Sequence, residues 1–289
     1  RMATIVNEIK SLDPDIFCIQ EANFANYKKF FLPNFKEYNF GYSENYGSNF
    51  INLTGYKKDK YGLIEQNGLV MNDIDVNGNR GVFYIKLKDK KTNTPISVYN
   101  VHFPWRPIYE VEKCYVLNTV IENILKDECK NIIIAGDYNS IPNSLVMRLV
   151  YYSDFIKELR LYKSCHENVF KSLEMIKDDD SLFDHRIHRR NAEKYVLNKC
   201  INSIFATDEQ SKRFCNVLNN MQKVHNRFEL RSSYDKHYDL HTIKQENRFF
   251  LDYINTHPKY TNYTEGFKNT IDYIIHSSNL KVFKILKLN

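Results

Sequence analysis

The sequence predicts an α/β sandwich with mixed, mainly antiparallel sheets rather than a doubly wound parallel one, and three observations carry this. Short apolar runs and helical stripes intermix along the chain instead of falling into separate halves. Two strand-like runs, 81–87 and 96–101, are joined only by the polar stretch Lys88 to Pro95, which suits a hairpin and not a crossover. Several runs end on a carboxylate, a carboxamide or an imidazole, and a layered α/β fold can gather such ends at one edge of its sheets.

The elements follow in order. Ile5, Ile9 and Leu12 recur at helical spacing, and Asp13-Pro14-Asp15 stops that helix. Ile16 to Ile19 reads as a short buried strand ending at Gln20-Glu21. After the hairpin, Cys114, Leu117, Ile121, Ile124 and Leu125 line one stripe of a helix from about Glu110 to Lys126. Ile132-Ile133-Ile134-Ala135 is a continuous apolar strand that runs into Gly136-Asp137-Tyr138-Asn139. A further helix is expected through Ser144 to Tyr152, and the last two strands at Ile271 to Ile275 and Val282 to Leu286. Residues 156–227 show no clear period and contain the acidic run Asp178-Asp179-Asp180 and the basic cluster Arg186 to Arg190. They read as an inserted surface segment, helical in parts, within a single domain spanning 1–289.

Composition excludes several classes. With 43% hydrophobic and 26% charged residues the chain sits in the globular range, and its 289 residues are ample to bury a core. A net charge of +6 permits a polyanionic partner but does not argue for one, because Lys-rich solvated faces are common. The six cysteines form no CxxC pair in a chain too long for a small disulfide scaffold, and Cys18 lies inside an apolar run as a core thiol. A reducing compartment is expected, the cytoplasm first and the nucleus second. No apolar run approaches the roughly 20 residues of a membrane-spanning helix, and no signal-peptide pattern opens the chain, so no membrane partner is expected.

The residues that can carry chemistry stand at strand ends: Glu21, His102, Asp137 with Asn139, and Asp272. Carboxylates with a carboxamide suit Mg²⁺, a hard cation that prefers oxygen donors and keeps several waters. Phosphate-ester hydrolysis needs charge neutralisation and an aligned water, which a bound metal supplies. No Cys/His set has zinc spacing, and there is no Walker loop or GxSxG elbow. Taken singly each residue has a plainer reading. Asp-x-Asn is common turn chemistry, a Glu after a strand is commonly solvated, and an Asp at the position of Asp272 can serve as a turn cap alone.

The ordered set changes that balance. Ile19-Gln20-Glu21, Asn100-Val101-His102, Gly136-Asp137-Tyr138-Asn139-Ser140 and Ile271-Asp272-Tyr273-Ile274 resemble, in order, the motifs of the endonuclease/exonuclease/phosphatase superfamily. Tyr260-Thr261-Asn262-Tyr263-Thr264, Gly266-Phe267-Lys268, Gly55 to Tyr61 and His102-Phe103-Pro104-Trp105-Arg106-Pro107 are similar to segments of its Ccr–Not, nocturnin and Angel branch. Arg106 stands where the Ccr–Not form commonly has Asp.

The resemblance implies a four-layer α/β/β/α sandwich and one or two Mg²⁺ ions, with Mn²⁺ as a substitute. It implies Glu21, Asp137 and Asp272 as metal ligands, with Asp137 also orienting the attacking water. Asn139 would hold the scissile phosphate, His102 would stabilise its charge, and Pro107 and Phe267 would flank an adenine. Phe267 has core packing as an equal reading, and Pro107 a rigid turn. The implied activity is a 3′→5′ exoribonuclease that shortens poly(A) tails and releases 5′-AMP, with single-stranded poly(A) and a Ccr–Not-like complex as partners. A nocturnin-like dinucleotide phosphatase and a catalytically impaired RNA- or protein-binding module are the alternatives.

Two departures from the pattern matter. The superfamily opens on an Asn ahead of the first helix and closes on a Ser-Asp-His-type motif after the strand holding Asp272, and neither occurs in the 289 residues. The expectation is therefore the interior of a longer protein with an incomplete set of site residues. Asp184-His185 lies upstream of Asp272, in the wrong chain order to replace the final motif.

Overall fold

The computed structural model describes residues 2–44, 50–69, 81–105, 109–142, 144–151, 208–234, 261–263 and 268–283. Helix α1 (Met2–Leu12) leads into strand β1 (Ile16–Asn23). A helical stretch follows, α2 (Phe24–Asn26), a π turn at Tyr27–Phe31 and α3 (Leu32–Asn34). Strands β2 (Tyr38–Glu44), β3 (Phe50–Lys57), β4 (Tyr61–Leu69), β5 (Val82–Asp89) and β6 (Pro95–His102) come next. Then come α4 (Glu110–Lys126), β7 (Ile132–Asp137), α5 (Leu145–Tyr151) and α6 (Asp208–Phe228). The short strands β8 (Arg231–Ser232), β9 (Asn262–Tyr263) and β10 (Lys268–Asn269) precede β11 (Asp272–His276).

Two sheets stack between two helical layers. The first has the order β1-β3-β2, all antiparallel. The second has the order β4-β5-β6-β7-β11-β8, antiparallel except for the β6–β7 pair, which α4 connects as a crossover. Period-two alternation sorts the side chains into layers. Along β5, Val82 and Tyr84 join the helix-side core, while Phe83, Ile85 and Leu87 face the space between the sheets. Along β1, Phe17 and Ile19 pack with α1 residues Ile5, Val6 and Ile9, while Ile16 and Cys18 face the other sheet. Strands buried on both faces explain why these runs are apolar without interruption.

The α/β class, the hairpin and the helix over 110–126 are as the sequence predicts. On α4 the stripe residues Cys114, Leu117, Ile121 and Ile124 are fully buried, and so are Val116 and Val120 on its other side. Helix α6 packs against α4, and its Phe214, Val217, Leu218, Met221, Val224 and Phe228 belong to the same core. This corrects the reading of 156–227 as a surface segment: its last part, from 208, is helical as expected but is core, with an apolar face that seals α4. Residues 156–207 lie outside the described residues. A Leu117→Ala change in this seam should cost about 2–5 kcal/mol.

Most of the second expected terminal strand, 284–286, lies outside the described residues; the two described positions, Val282 and Phe283, are not in a strand. The strand expected at Ile16 to Ile19 continues to Asn23 through a bulge. Among the described residues the cysteines are free thiols, and burial pushes Cys18 up to about 12. No described helix is long and apolar enough to cross a membrane.

Candidate active site

Topology brings four of the expected residues together. Because β6 and β7 run parallel in register, their final residues His102 and Asp137 are neighbours. Because β11 runs antiparallel to β7, its first residue, Asp272, pairs with Asp137. Glu21 arrives from β1 in the other sheet, with its Oε1 3.8 Å from His102 Nε2. The same Nε2 lies 3.9 Å from Asp137 Oδ2. Two carboxylates thus converge on one imidazole nitrogen at the seam of the sandwich. The His102 side chain is 6% exposed and Glu21 64%, so the cluster is closed behind and open in front.

The local backbone is shaped for this. Between Ile19 and Ala22 the β1–β3 register slips, and Glu21 adopts a left-handed φ of 54°. A non-glycine residue held there stores strain of about 1–3 kcal/mol, and such strain concentrates at functional sites. Beside it Gln20 Nε2 donates to Asn100 Oδ1 at 2.7 Å, which ties the Glu21 strand to the His102 strand. Asn100 Nδ2 donates in turn to Leu53 O and Thr54 Oγ1, at 3.0 and 3.2 Å. Gly136 has a φ of 144°, and a Cβ there would stand 2.0 Å from Val101 O. Only glycine therefore lets β7 approach β6 closely enough to pair His102 with Asp137.

Asn139 also has a positive φ, 47°, which Asn tolerates well. Its backbone N–H donates to Asp137 Oδ1 at 2.7 Å, an Asx turn, and its Nδ2 donates to Phe103 O at 2.9 Å. On the far side of Asp137, Thr261 Oγ1 accepts from the backbone N–H groups of Ile271 and Asp272, both at 3.0 Å.

The electrostatics are those of crowded acids. Burial, then the charges of Asp272 and Glu21, push the Asp137 carboxyl up to about 7 against the pull of the Asn139 N–H and of Lys113. Asp272 is raised as well, by burial, with the Thr261 hydroxyl partly offsetting it. Carboxylates this close call for a compensating cation. The donors of Glu21, Asp137, Asn139 and Asp272 are all oxygens, a set that suits a hard cation such as Mg²⁺ or Mn²⁺. Among the described residues no three His, Cys, Asp or Glu side chains form a ready-made metal cage.

The structure thus brings Glu21, His102, Asp137, Asn139 and Asp272 to one end of the two sheets. Pro107 and Phe267, expected to flank a base, lie outside the described residues, as do Arg106, Asp184, His185 and the cluster at 186–190. Three supporting roles escaped the sequence reading: Thr261 under Asp272, Gln20 between the sheets, and a buried Glu110–Lys113 pair under Asn139. The only sequence signal for the last was a Glu and a Lys three apart at the start of the helix.

A family model described as Endonuclease/Exonuclease/phosphatase family matches residues 1–289. The chain belongs to the endonuclease/exonuclease/phosphatase family. Among curated relatives of this family, the CCR4-Not complex 3′-5′-exoribonuclease subunit Ccr4 of Candida albicans is 23% identical over 193 residues. That match covers 52% of this chain and 24% of the relative, so the chain spans about a quarter of that relative's length. Two solved structures share the family fold over nearly the whole chain. ANGEL2, a 2′,3′-cyclic phosphatase, in complex with adenosine-2′,3′-vanadate, superimposes with a TM-score of 0.61 at 19% identity, covering 97% of this chain and 75% of ANGEL2. The human Nocturnin catalytic domain with bound sulfate gives 0.53 at 12% identity, covering 96% and 74%. These likenesses establish the α/β sandwich, and the family is one of nucleases and phosphatases.

Proposed function

We propose that this protein is a Mg²⁺-dependent phosphodiesterase that removes nucleotides from the 3′ end of single-stranded poly(A), releasing 5′-AMP. The observation that carries this reading is the meeting of Glu21, His102, Asp137 and Asp272 at one end of two sheets, with Asp137 raised to about 7 by burial and its acidic neighbours. A carboxyl poised near neutrality is suited to taking a proton from water. Glu21, Asp137 and Asp272 would hold the ion, which when bound supplies positive charge against the phosphoryl oxygens. Asp137 orients the attacking water and accepts its proton as the water oxygen bonds to phosphorus. The bond from phosphorus to the 3′ oxygen of the penultimate nucleotide breaks in line, and that oxygen takes a proton from solvent water to become the new 3′-hydroxyl, while Asp137 returns its proton to solvent. Asn139 and, in its protonated form, His102 donate to the phosphoryl oxygens as charge builds there.

Poly(A) as substrate rests on the branch-specific segments around His102 and Tyr260 and on the name of the Candida albicans relative. The same relative supports association with a Ccr–Not-like complex, and with it a cytoplasmic place of work with the nucleus second. Base selectivity would come from stacking and base-edge contacts on the unpaired strand.

The test is digestion of 5′-labelled poly(A), with poly(U) alongside, by the longest natural form of the protein and its Asp137→Ala variant, with and without Mg²⁺. Stepwise shortening of poly(A) that needs Mg²⁺, is weak on poly(U) and is absent in the variant is the expected result. No shortening of either RNA, with phosphate released from a dinucleotide, would move the reading to a small-molecule phosphatase. No turnover of any ester would leave the non-catalytic binding module.

A further inference from the structure

Beneath the Asp137–Ser140 turn lies a charged pair that neither the strand-end pattern nor the packing of α4 accounts for. Lys113 is wholly buried, and its Nζ donates to Glu110 Oε1 at 2.8 Å and to the backbone carbonyl of Asn139 at 2.7 Å. Glu110 Oε1 also accepts from Ser140 Oγ at 3.2 Å, and Tyr273 OH donates to Ser140 O at 2.8 Å. The other carboxylate oxygen, Glu110 Oε2, is buried with no hydrogen-bond partner among the described residues.

As a contribution to stability this arrangement is poor. A buried ion pair with an unsatisfied oxygen stabilises a core less than apolar residues of the same volume would. The rest of the buried face of α4 is apolar, with Cys114, Val116, Leu117, Val120, Ile121 and Ile124, so a Met or Leu at 113 suits the surroundings. What such a residue cannot do is hold the Asn139 carbonyl. Asn139 sits in the left-handed region, where its peptide must be held against the β and right-handed alternatives. Its N–H on Asp137 Oδ1 fixes the peptide before Asn139 and Lys113 on its carbonyl fixes the peptide after it, so both flanking peptides are held while the carboxamide reaches Phe103 O.

We propose that Lys113, braced by Glu110, is a positioning residue that locks the turn presenting Asp137 and Asn139 to the substrate phosphate and to the ion. The proposal rests on the active-site reading above. Lys113 touches neither substrate nor ion and acts through the Asn139 carbonyl.

The test compares the wild type with Lys113→Met and with Glu110→Gln/Lys113→Met, which removes both charges and keeps the volume. Melting temperature, Mg²⁺ affinity by calorimetry, and kcat and KM on 5′-labelled poly(A) are measured where circular dichroism shows each variant folded. The single variant leaves Glu110 charged and alone, and should melt well below wild type. The double variant should regain most of that loss, yet keep a fall in kcat of about tenfold or more and a weaker hold on Mg²⁺, with KM little changed. A folded double variant with wild-type kcat and wild-type Mg²⁺ affinity would reduce the pair to a structural one and overturn the proposal. If the wild type itself turns over no ester, it is the functional reading that fails. The Mg²⁺ titration then decides this proposal alone: weakened binding in the double variant upholds it, and unchanged binding overturns it.

Discussion

Asp127 and Asp137 stand at opposite ends of the same stretch of chain, one just before β7 and the other at its end, and both are largely shielded from water. Their surroundings differ completely. Burial works against Asp127 too, but Lys86 Nζ and Ser97 Oγ each donate to it at 2.5 Å and the Cys129 N–H at 3.0 Å. Together these outweigh burial and hold its carboxyl below the ordinary carboxylate range. Asp137 accepts one backbone N–H and faces two more acids, and its carboxyl rises to about 7. Satisfying a buried charge with its own donors makes a structural aspartate. Leaving it under-satisfied beside like charges makes one that gains from an incoming cation and can exchange a proton.

Substitution should separate the two. Asp137→Asn should lower kcat roughly 10²–10³-fold, a loss of the size seen when one well-placed stabilising group is removed from an active site. The folded state should not weaken, because the variant removes a carboxyl that folding disfavours. Asp127→Asn should do the reverse. It strands Lys86 and should cost roughly 3–5 kcal/mol, a drop in Tm of about 6–15 °C, with kcat unchanged while the protein remains folded. Parallel melting curves and single-turnover assays check both, and the contrast breaks if Asp127→Asn lowers kcat in the folded protein as much as Asp137→Asn does.

The sequence could show where these aspartates lie but not which kind each is. Asp137 was legible because it follows an unbroken apolar strand and precedes a turn-forming Asn, in an order shared with Glu21, His102 and Asp272. Asp127 was silent, because its partners Lys86 and Ser97 come from β5 and β6, some 30 to 41 residues away in sequence. The same limit hid Lys113, which reads as one more polar residue at the start of a helix until the turn carrying Asn139 folds back over it. The burial of helix α6 escaped for another reason. Its apolar residues Phe214, Val217, Leu218, Met221 and Val224 do recur at helical spacing, but strongly polar neighbours such as Asn219, Asn220 and Gln222 blur the stripe. The α4 surface it covers can be known only once the sheet has formed.

The second contrast between the aspartates is in pH. Folding raises the Asp137 pKa, so the folded chain binds that proton more tightly than the unfolded chain does. Its contribution to stability is full below pH ~4 and is lost as the pH rises through about 7, where the ionised carboxyl weighs most on the folded state. In protein stripped of divalent ions, Asp137→Asn should therefore melt higher than wild type at pH 8, by at most about 4 kcal/mol in stability, and the gap should close as the pH falls toward 4. Added Mg²⁺ should narrow the gap at pH 8 by stabilising only the wild type. Asp127 has the opposite sign: its lowered pKa gives stability that is present above pH ~4 and lost as the pH falls below it. A Tm difference for Asp137→Asn that is constant between pH 4 and 8 would contradict the environment assigned to this carboxyl.

The smallest effect should come from Thr261, which gives Asp272 a fraction of what Asp127 receives in full. Its hydroxyl oxygen accepts from the Ile271 and Asp272 N–H groups, and its contact with the Asp272 carboxyl draws that group partly back from the rise that burial imposes. Thr261→Val keeps the shape and removes both effects. Two partly buried N–H groups lose their acceptor, at a cost of about 1–3 kcal/mol, and Asp272 becomes harder to ionise. Activity at neutral pH should fall by less than about tenfold, and the acid limb of the pH–rate profile should move to higher pH. Thr261→Ser, which restores the hydroxyl, should return both the profile and the melting temperature close to wild type. A Thr261→Val enzyme that loses stability but keeps its acid limb in place would make Thr261 a turn residue only, and would leave the ionisation of Asp272 to its burial.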